Sequence, residues 1–103
     1  MYRVTITYGH PLDSGAFDEY YNTKHLPLAG QIPGVERFAA GKCESLDGTD
    51  PPAYYLAEIY FADREAADAG LGSDQGQAAA ADIANFASGG ATLVFSNEDI
   101  SIP

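Results

Sequence analysis

Basic side chains are scarce in this 103-residue chain. Two lysines and three arginines stand against nine aspartates and six glutamates, a formal net charge of −10 at pH 7. Nucleic-acid binding needs clustered Lys and Arg to neutralise phosphates, so that class of partner is excluded. The acidic surplus favours solubility, and the excess of Asp over Glu with so few lysines also suits a high-salt cytoplasm. Cysteine is nearly absent. A lone Cys43 permits neither an internal disulfide nor a zinc site built on paired cysteines, and a buried, inert thiol is expected. No apolar run approaches the ~20 residues of a membrane-spanning helix, so no membrane partner is expected. The N-terminal residues alternate like a strand and lack a signal peptide's unbroken apolar block, which makes a cytoplasmic protein the expectation. A phosphate-binding glycine-rich loop, a G-x-S-x-G elbow and an H-E-x-x-H helix are all missing. The two histidines, His10 and His25, do not make a metal site by their spacing. Neither a metal nor a cofactor is expected.

What is present reads as one domain over residues 1–103. The first strand, Tyr2–Tyr8, sets Tyr2, Val4, Ile6 and Tyr8 on one face and Arg3, Thr5 and Thr7 on the other. A turn at Gly9-His10-Pro11 leads to a helix capped by Asp13 or Ser14. On that helix Phe17, Tyr20, Tyr21, Lys24 and His25 recur at offsets of 0, 3, 4, 7 and 8 and form one face. Pro27 disfavours helical geometry at Leu26, so the helix is expected to end around His25. Pro33-Gly34 opens a second strand over Val35–Glu44, and the polar loop Ser45–Pro52 joins it to a third over Ala53–Phe61. Asp63 caps a short helix to about Leu71, and Ser73 caps a second piece whose buried stripe is Ala79, Ile83, Phe86 and Ala87. Gly89-Gly90 ends it, and Ala91–Ser96 is the fourth strand.

This order predicts an α+β fold of ferredoxin-like βαββαβ form, a four-stranded antiparallel sheet with helices on one face. The third strand is largely apolar on both sides, with Tyr54, Leu56, Glu58 and Tyr60 opposite Tyr55, Ala57, Ile59 and Phe61. Both faces are therefore expected to be buried. The chain has helices for only one of them, and a second copy is the simplest cover for the other. Glu58 is expected to pair with Arg3 or Arg37 at that interface.

The segment Asp13-Ser14-Gly15-Ala16-Phe17-Asp18-Glu19-Tyr20-Tyr21-Asn22-Thr23-Lys24-His25-Leu26-Pro27-Leu28-Ala29 resembles the EthD-like family, with its acidic cap, Phe-Asp-x-Tyr-Tyr and His-x-Pro-Leu. Pro33-Gly34, Ser73-Asp74-Gln75-Gly76-Gln77, Asp82-Ile83-Ala84-Asn85-Phe86 and Gly89-Gly90 extend the likeness over nearly the whole chain, while His10 has no counterpart in it. The resemblance implies a dimeric α+β barrel, two ferredoxin-like units packed sheet to sheet. It also implies kinship with cofactor-free monooxygenases, muconolactone isomerases, polyketide cyclases and haem-degrading enzymes.

His25 is the candidate catalytic residue, because imidazole both takes and gives a proton near neutral pH. Tyr21 is its candidate catalytic companion, and Tyr8, Tyr20 and Phe17 are the candidate substrate contacts, for a small aromatic, lactone or polyketide-like molecule. The structural alternative for His25 is a C-cap on the last helical carbonyls. Rival functions are a non-catalytic accessory dimer serving a partner oxygenase, and haem binding through His25. Asp13 reads as a cap rather than an acid, and Lys24 as extending its ammonium to solvent.

Overall fold

Alternation sets the first strand, β1 (Tyr2–Tyr8), in which Val4, Ile6 and Tyr8 are buried and Arg3, Thr5 and Thr7 point the other way. The computed structural model describes the whole chain, Met1–Pro103, and adds β2 (Val35–Lys42), β3 (Tyr55–Phe61) and β4 (Ala91–Asn97). The strands pair antiparallel in the order β2-β3-β1-β4. Helices connect β1 to β2 and β3 to β4 and cover one face, so the chain has the ferredoxin-like βαββαβ form expected from its sequence. Directly opposed residues share a face, and the pairs Val4–Ile59, Ile6–Ala57 and Tyr2–Phe61 build the sheet's half of the core.

The other face differs from expectation. Leu56, Tyr60 and Val94 are its large apolar groups, but Arg3, Thr5, Thr7, Arg37 and Glu58 lie among them. Glu58 does not pair with either arginine within the protomer. It accepts the Tyr60 hydroxyl, Arg37 lies over the Tyr60 ring 5.5 Å from its centroid, and Arg3 donates to Ser96. β3 itself contributes only Glu58 to this polarity, and the neighbouring strands supply Arg3, Thr5, Thr7 and Arg37.

The first crossover begins with α1 (Ser14–Tyr20), capped by Asp13, whose Oδ1 accepts the Ala16 amide at 3.0 Å. It passes through a π-helical turn (Tyr21–His25) and continues as α2 (Leu26–Ala29). The expected stop at His25 does not occur, because the wide turn carries the chain through Pro27. The Leu26 amide reaches back five residues to the Tyr21 carbonyl. Asn22 and Thr23 donate their side chains to the Asp18 and Glu19 carbonyls on the solvent side. This turn also sets the direction of the helix face. Residues four apart drift by about 40° per step in a straight α-helix, and a wider turn takes that drift back out. Phe17, Tyr21, His25 and Ala29 are consequently all buried, while Lys24, expected on that face, is exposed.

The second crossover holds α3 (Arg64–Gly72), α4 (Asp74–Asp82) and a 3-10 turn (Ile83–Asn85). Asp63 caps α3 and Ser73 caps α4. A clasp ties α1 to the hairpin: Asp18 accepts from the Tyr54 hydroxyl at 2.6 Å and from Lys42 Nζ at 3.0 Å. Cys43 is half-buried rather than buried, and desolvation raises its thiol's pKa. His10 is exposed and donates its Nε2 proton to the Pro51 carbonyl at 2.8 Å, pinning the hairpin loop.

Two glycines of α3 give a paired stability prediction. A Cβ on Gly70 would sit 2.4 Å from the Pro33 carbonyl oxygen, whereas nothing lies within 4 Å of one on Gly72. Alanine gains about 1 kcal/mol of helix propensity at either site. Gly72→Ala should therefore be neutral or stabilising, and Gly70→Ala should lose about 2 kcal/mol net through overpacking. Urea denaturation of the two variants distinguishes these outcomes.

Candidate active site

Two helices bring one ionisable pair together between themselves and the sheet. His25, on the π-helical turn, and Asp82, the last residue of α4, are 4% and 7% exposed. Asp82 Oδ2 lies 3.0 Å from His25 Nδ1, while Oδ1 accepts the Tyr20 hydroxyl at 2.7 Å and the Asn85 amide at 3.0 Å. A carboxylate with three donors is stable where a bare one is not. Burial works to raise the Asp82 carboxyl pKa, but the hydrogen bonds from Tyr20, Asn85 and His25 outweigh it and hold the group below the ordinary carboxylate range. A carboxylate only accepts, so Nδ1 carries a proton, and in the neutral tautomer the lone pair lies on Nε2. Nε2 has no partner within the chain. Phe86 packs on the imidazole, with centroids 4.6 Å apart, and Tyr21 tilts against it at 5.3 Å.

His25 lines a cavity of about 40 Å³ between the helices and the sheet. Val4, Ile6 and Tyr8 of β1, Ile59 of β3 and Leu93 of β4 form its floor, and Ala29, Leu71, Ala79 and Ile83 its roof. None of the lining side chains is Asp, Glu, Lys or Arg. The space suits a few water-sized groups and is far below the ~150 Å³ of a cavity that takes benzene. Leu93, on the edge strand, is 41% exposed and marks the side nearest solvent.

Among the sequence candidates, His25 and Tyr8 meet at this cavity. Tyr21 does not line it but adjoins both, its ring centroid 5.8 Å from that of Tyr8. Tyr20 has a different place: its hydroxyl is committed to Asp82, and it lines an outer groove together with Phe17, Asn85 and Phe86. Phe17 is otherwise core, stacked on Tyr21. The Tyr8 and Tyr21 hydroxyls are buried, and neither has a partner in hydrogen-bond geometry, but each is the other's nearest polar neighbour and shifts its ionisation. Desolvation pushes the Tyr8 hydroxyl up to about 12, against a lowering contribution from the Tyr21 hydroxyl, and burial raises Tyr21 as well. His25 is no C-cap, because the helix continues past it and its ring bonds Asp82 instead.

Asp82, Asn85 and the ring of Phe86 escaped the sequence reading as site residues. One signal for Asp82 was available: it falls three residues after Ala79 and four before Phe86, on the buried stripe. A carboxylate at a core position of a helix calls for a partner.

Comparisons with known proteins converge on one group. The family model described as EthD domain matches residues 9–90. An uncharacterized 11.0 kDa protein of the thcB–thcC intergenic region in Rhodococcus erythropolis is 58% identical over 103 residues, covering 100% of both chains. An ethyl tert-butyl ether D (EthD) family protein from Bacillus halodurans superposes with a TM-score of 0.89 at 31% identity, over 95% of this chain and 98% of that one. Two more distant structures share the fold alone. They are a dimeric ferredoxin-like protein from Jannaschia (TM-score 0.68, 20% identity, 94% and 99% covered) and SnoaB, a cofactor-independent oxygenase from Streptomyces nogalater (TM-score 0.67, 14% identity, 99% and 95% covered).

Asp82 makes acid stability a test of the site. Its folded-state pKa is depressed, so its contribution is complete above the unfolded carboxyl value near ~4 and is lost as pH falls through the lower folded value. Asp82→Asn should be less stable at pH 7, by about 1–3 kcal/mol, and should lose less on acidification below pH ~4 than the parent does. Parallel stability–pH curves for the two proteins would contradict this assignment.

Proposed function

We propose, from the premise that this chain belongs to the EthD domain family, that it is a cofactor-independent enzyme acting on a small molecule, with His25 as its acid–base group. The observation that carries this reading is the buried pair: Asp82 fixes the tautomer and direction of the imidazole, and the free Nε2 belongs to a ring lining an apolar cavity. A base held this way in a low-dielectric pocket removes a proton from a weakly acidic carbon or phenol and returns it after rearrangement. SnoaB, a cofactor-independent oxygenase on the same fold, supports chemistry without a bound cofactor. Lactones, phenols and polyketide-like compounds remain the substrate classes of this proposal, with oxygenation, isomerisation or cyclisation as its reactions. An aromatic ring needs more than about 40 Å³, so it would require displacement of the lining at Leu93 or Leu71. The same small volume favours the rival reading of a non-catalytic accessory. It gives haem no room, since ligand pockets of that kind run to roughly 300–1,000 Å³.

The working unit in this reading is a cytoplasmic homodimer joined through the open sheet face. Val94 and Phe95 of the edge strand are 55% and 50% exposed, and Leu56 and Tyr60 extend Val94's side of the sheet. An edge strand with exposed apolar groups is a pairing hazard unless something covers it. Two copies of a face bearing Arg3, Arg37 and Glu58 also offer one another opposite charges. No helix is long and apolar enough to cross a membrane.

Two experiments test the proposal. Light scattering should give twice the 10.9 kDa protomer mass, and Val94→Lys should return the protomer; a dimer unaffected by that charge places the interface elsewhere. Turnover of a panel of small lactones, ketones and phenols should fall at least 100-fold in His25→Gln, with less effect in Asp82→Asn and circular dichroism unchanged. Equal turnover in parent and His25→Gln defeats the acid–base role, and a parent that binds members of the panel without converting any favours the accessory reading.

A further inference from the structure

Two buried tyrosine hydroxyls, one on the cavity wall and one behind it, restrict what the cavity can hold. Tyr8 and Tyr21 are 0% and 1% exposed, and no partner for either hydroxyl meets hydrogen-bond geometry, although each lies close enough to the other to shift its ionisation. Even a mutual pair leaves one of its two protons without an acceptor, and a buried donor in that state calls for a specific explanation. The aromatic packing holds both rings in place: Tyr8 is edge-on to Tyr21 and Phe17, and Tyr21 lies 4.8 Å from Tyr55. Beyond each other, neither hydroxyl has a protein partner within reach. Tyr8 lines the cavity together with His25.

Three ligand classes can be weighed against this surface. A carboxylate or phosphate would enter a lining with no Lys or Arg, beside a histidine already committed to Asp82 and inside a chain of net charge −10. A hydrocarbon would suit the apolar walls but leave the donors unsatisfied. A neutral molecule with one acceptor oxygen satisfies both requirements. We infer that the Tyr8 hydroxyl donates to the carbonyl oxygen of a small, neutral, enolisable ketone or lactone whose α-carbon faces His25 Nε2, and that Tyr21 is the positioning residue for Tyr8.

The step this arrangement performs is balanced within the site. The α C–H bond breaks and its proton passes to Nε2, while the C–H pair forms the new carbon–carbon double bond and the carbonyl π pair moves onto oxygen. Tyr8 donates to the enolate as charge gathers there, and the Asp82 carboxylate opposes the imidazolium that forms. Return of a proton to the same carbon exchanges it with solvent. Return to a conjugated γ-carbon isomerises an unsaturated substrate. No oxidant or reductant enters. This inference deepens the acid–base reading above and rests on it for the proton transfer, but not for the Tyr8 contact.

Acetone and its hydrocarbon isostere 2-methylpropene separate the two. They are small enough to probe a cavity of this size and differ only in the acceptor oxygen. Titrations followed by methyl NMR should show acetone binding weakened about tenfold by Tyr8→Phe and less by Tyr21→Phe, with 2-methylpropene binding unchanged. In D2O the parent should catalyse deuterium incorporation into acetone, Tyr8→Phe should do so about tenfold more slowly, and His25→Gln should lose it while keeping acetone affinity. Equal losses of both probes in Tyr8→Phe would mean a packing role only, and would overturn the inference. So would failure of acetone to bind, or acetone affinity indifferent to Tyr8, which would leave the hydroxyl with water alone. Tyr8-dependent acetone binding without deuterium incorporation in the parent would instead retain the donor and remove the acid–base role of His25.

Discussion

One ionised carboxylate buried among aromatic rings organises this molecule's candidate site. Asp82 ends α4, and its three donors come from three places: Tyr20 on α1, His25 on the π-helical turn and Asn85 just beyond α4. Burying such a charge is costly unless every lone pair facing inward is used. The requirement couples the two crossovers: the helix after β1 and the helix after β3 have to meet at one point. Everything assigned to His25 follows from that meeting. The carboxylate decides which ring nitrogen carries the proton, and the remaining nitrogen belongs to a ring that lines the cavity.

The secondary structure was legible because its signals are local. The period-two pattern of Tyr2–Tyr8, the caps at Asp13, Asp63 and Ser73, and the breaks at Pro33-Gly34 and Gly89-Gly90 each act within a few residues. His25 and Tyr8, which line the same cavity, stand out in the sequence for a similar reason, as the polar ends of an aromatic helix face and of the first strand. What escaped was what depends on a partner distant in sequence. Pro27 was read as a stop because its local effect is to break helices; the π-helical turn that accommodates it has no local signature strong enough to oppose that. Asp82 is separated from His25 by 57 positions, and nothing near it in sequence announces the pairing. The open sheet face was judged from β3, although its polarity is set by Arg3, Thr5 and Thr7 on the strand beside it.

The site also divides labour among residues that look alike in the sequence. Four of the tyrosines near the helices have separate tasks: Tyr20 serves the carboxylate, Tyr54 closes the clasp to Asp18, Tyr8 reaches the cavity and Tyr21 supports Tyr8 and His25 from behind. Their environments, not their chemistry, separate them. Tyr20 and Tyr54 spend their hydroxyls on carboxylates at the half-exposed margin, whereas the two fully buried rings have only one another, which leaves one proton of the pair unspent. In a low-dielectric interior an unspent donor is the group most able to discriminate between ligands, because the wrong occupant leaves it bare.

The spacing of the buried helix face lends itself to recognition in other chains. Phe17, Tyr21, His25 and Ala29 stand at unbroken intervals of four, a run that a regular α-helix would wind progressively toward solvent. A polypeptide showing that interval, with proline two positions past the histidine, advertises a local over-wide coil before any coordinates exist. If an acidic residue then appears among the inward positions of a later helix, the imidazole has a tether; if it does not, the same helix is scaffold and the histidine stands alone.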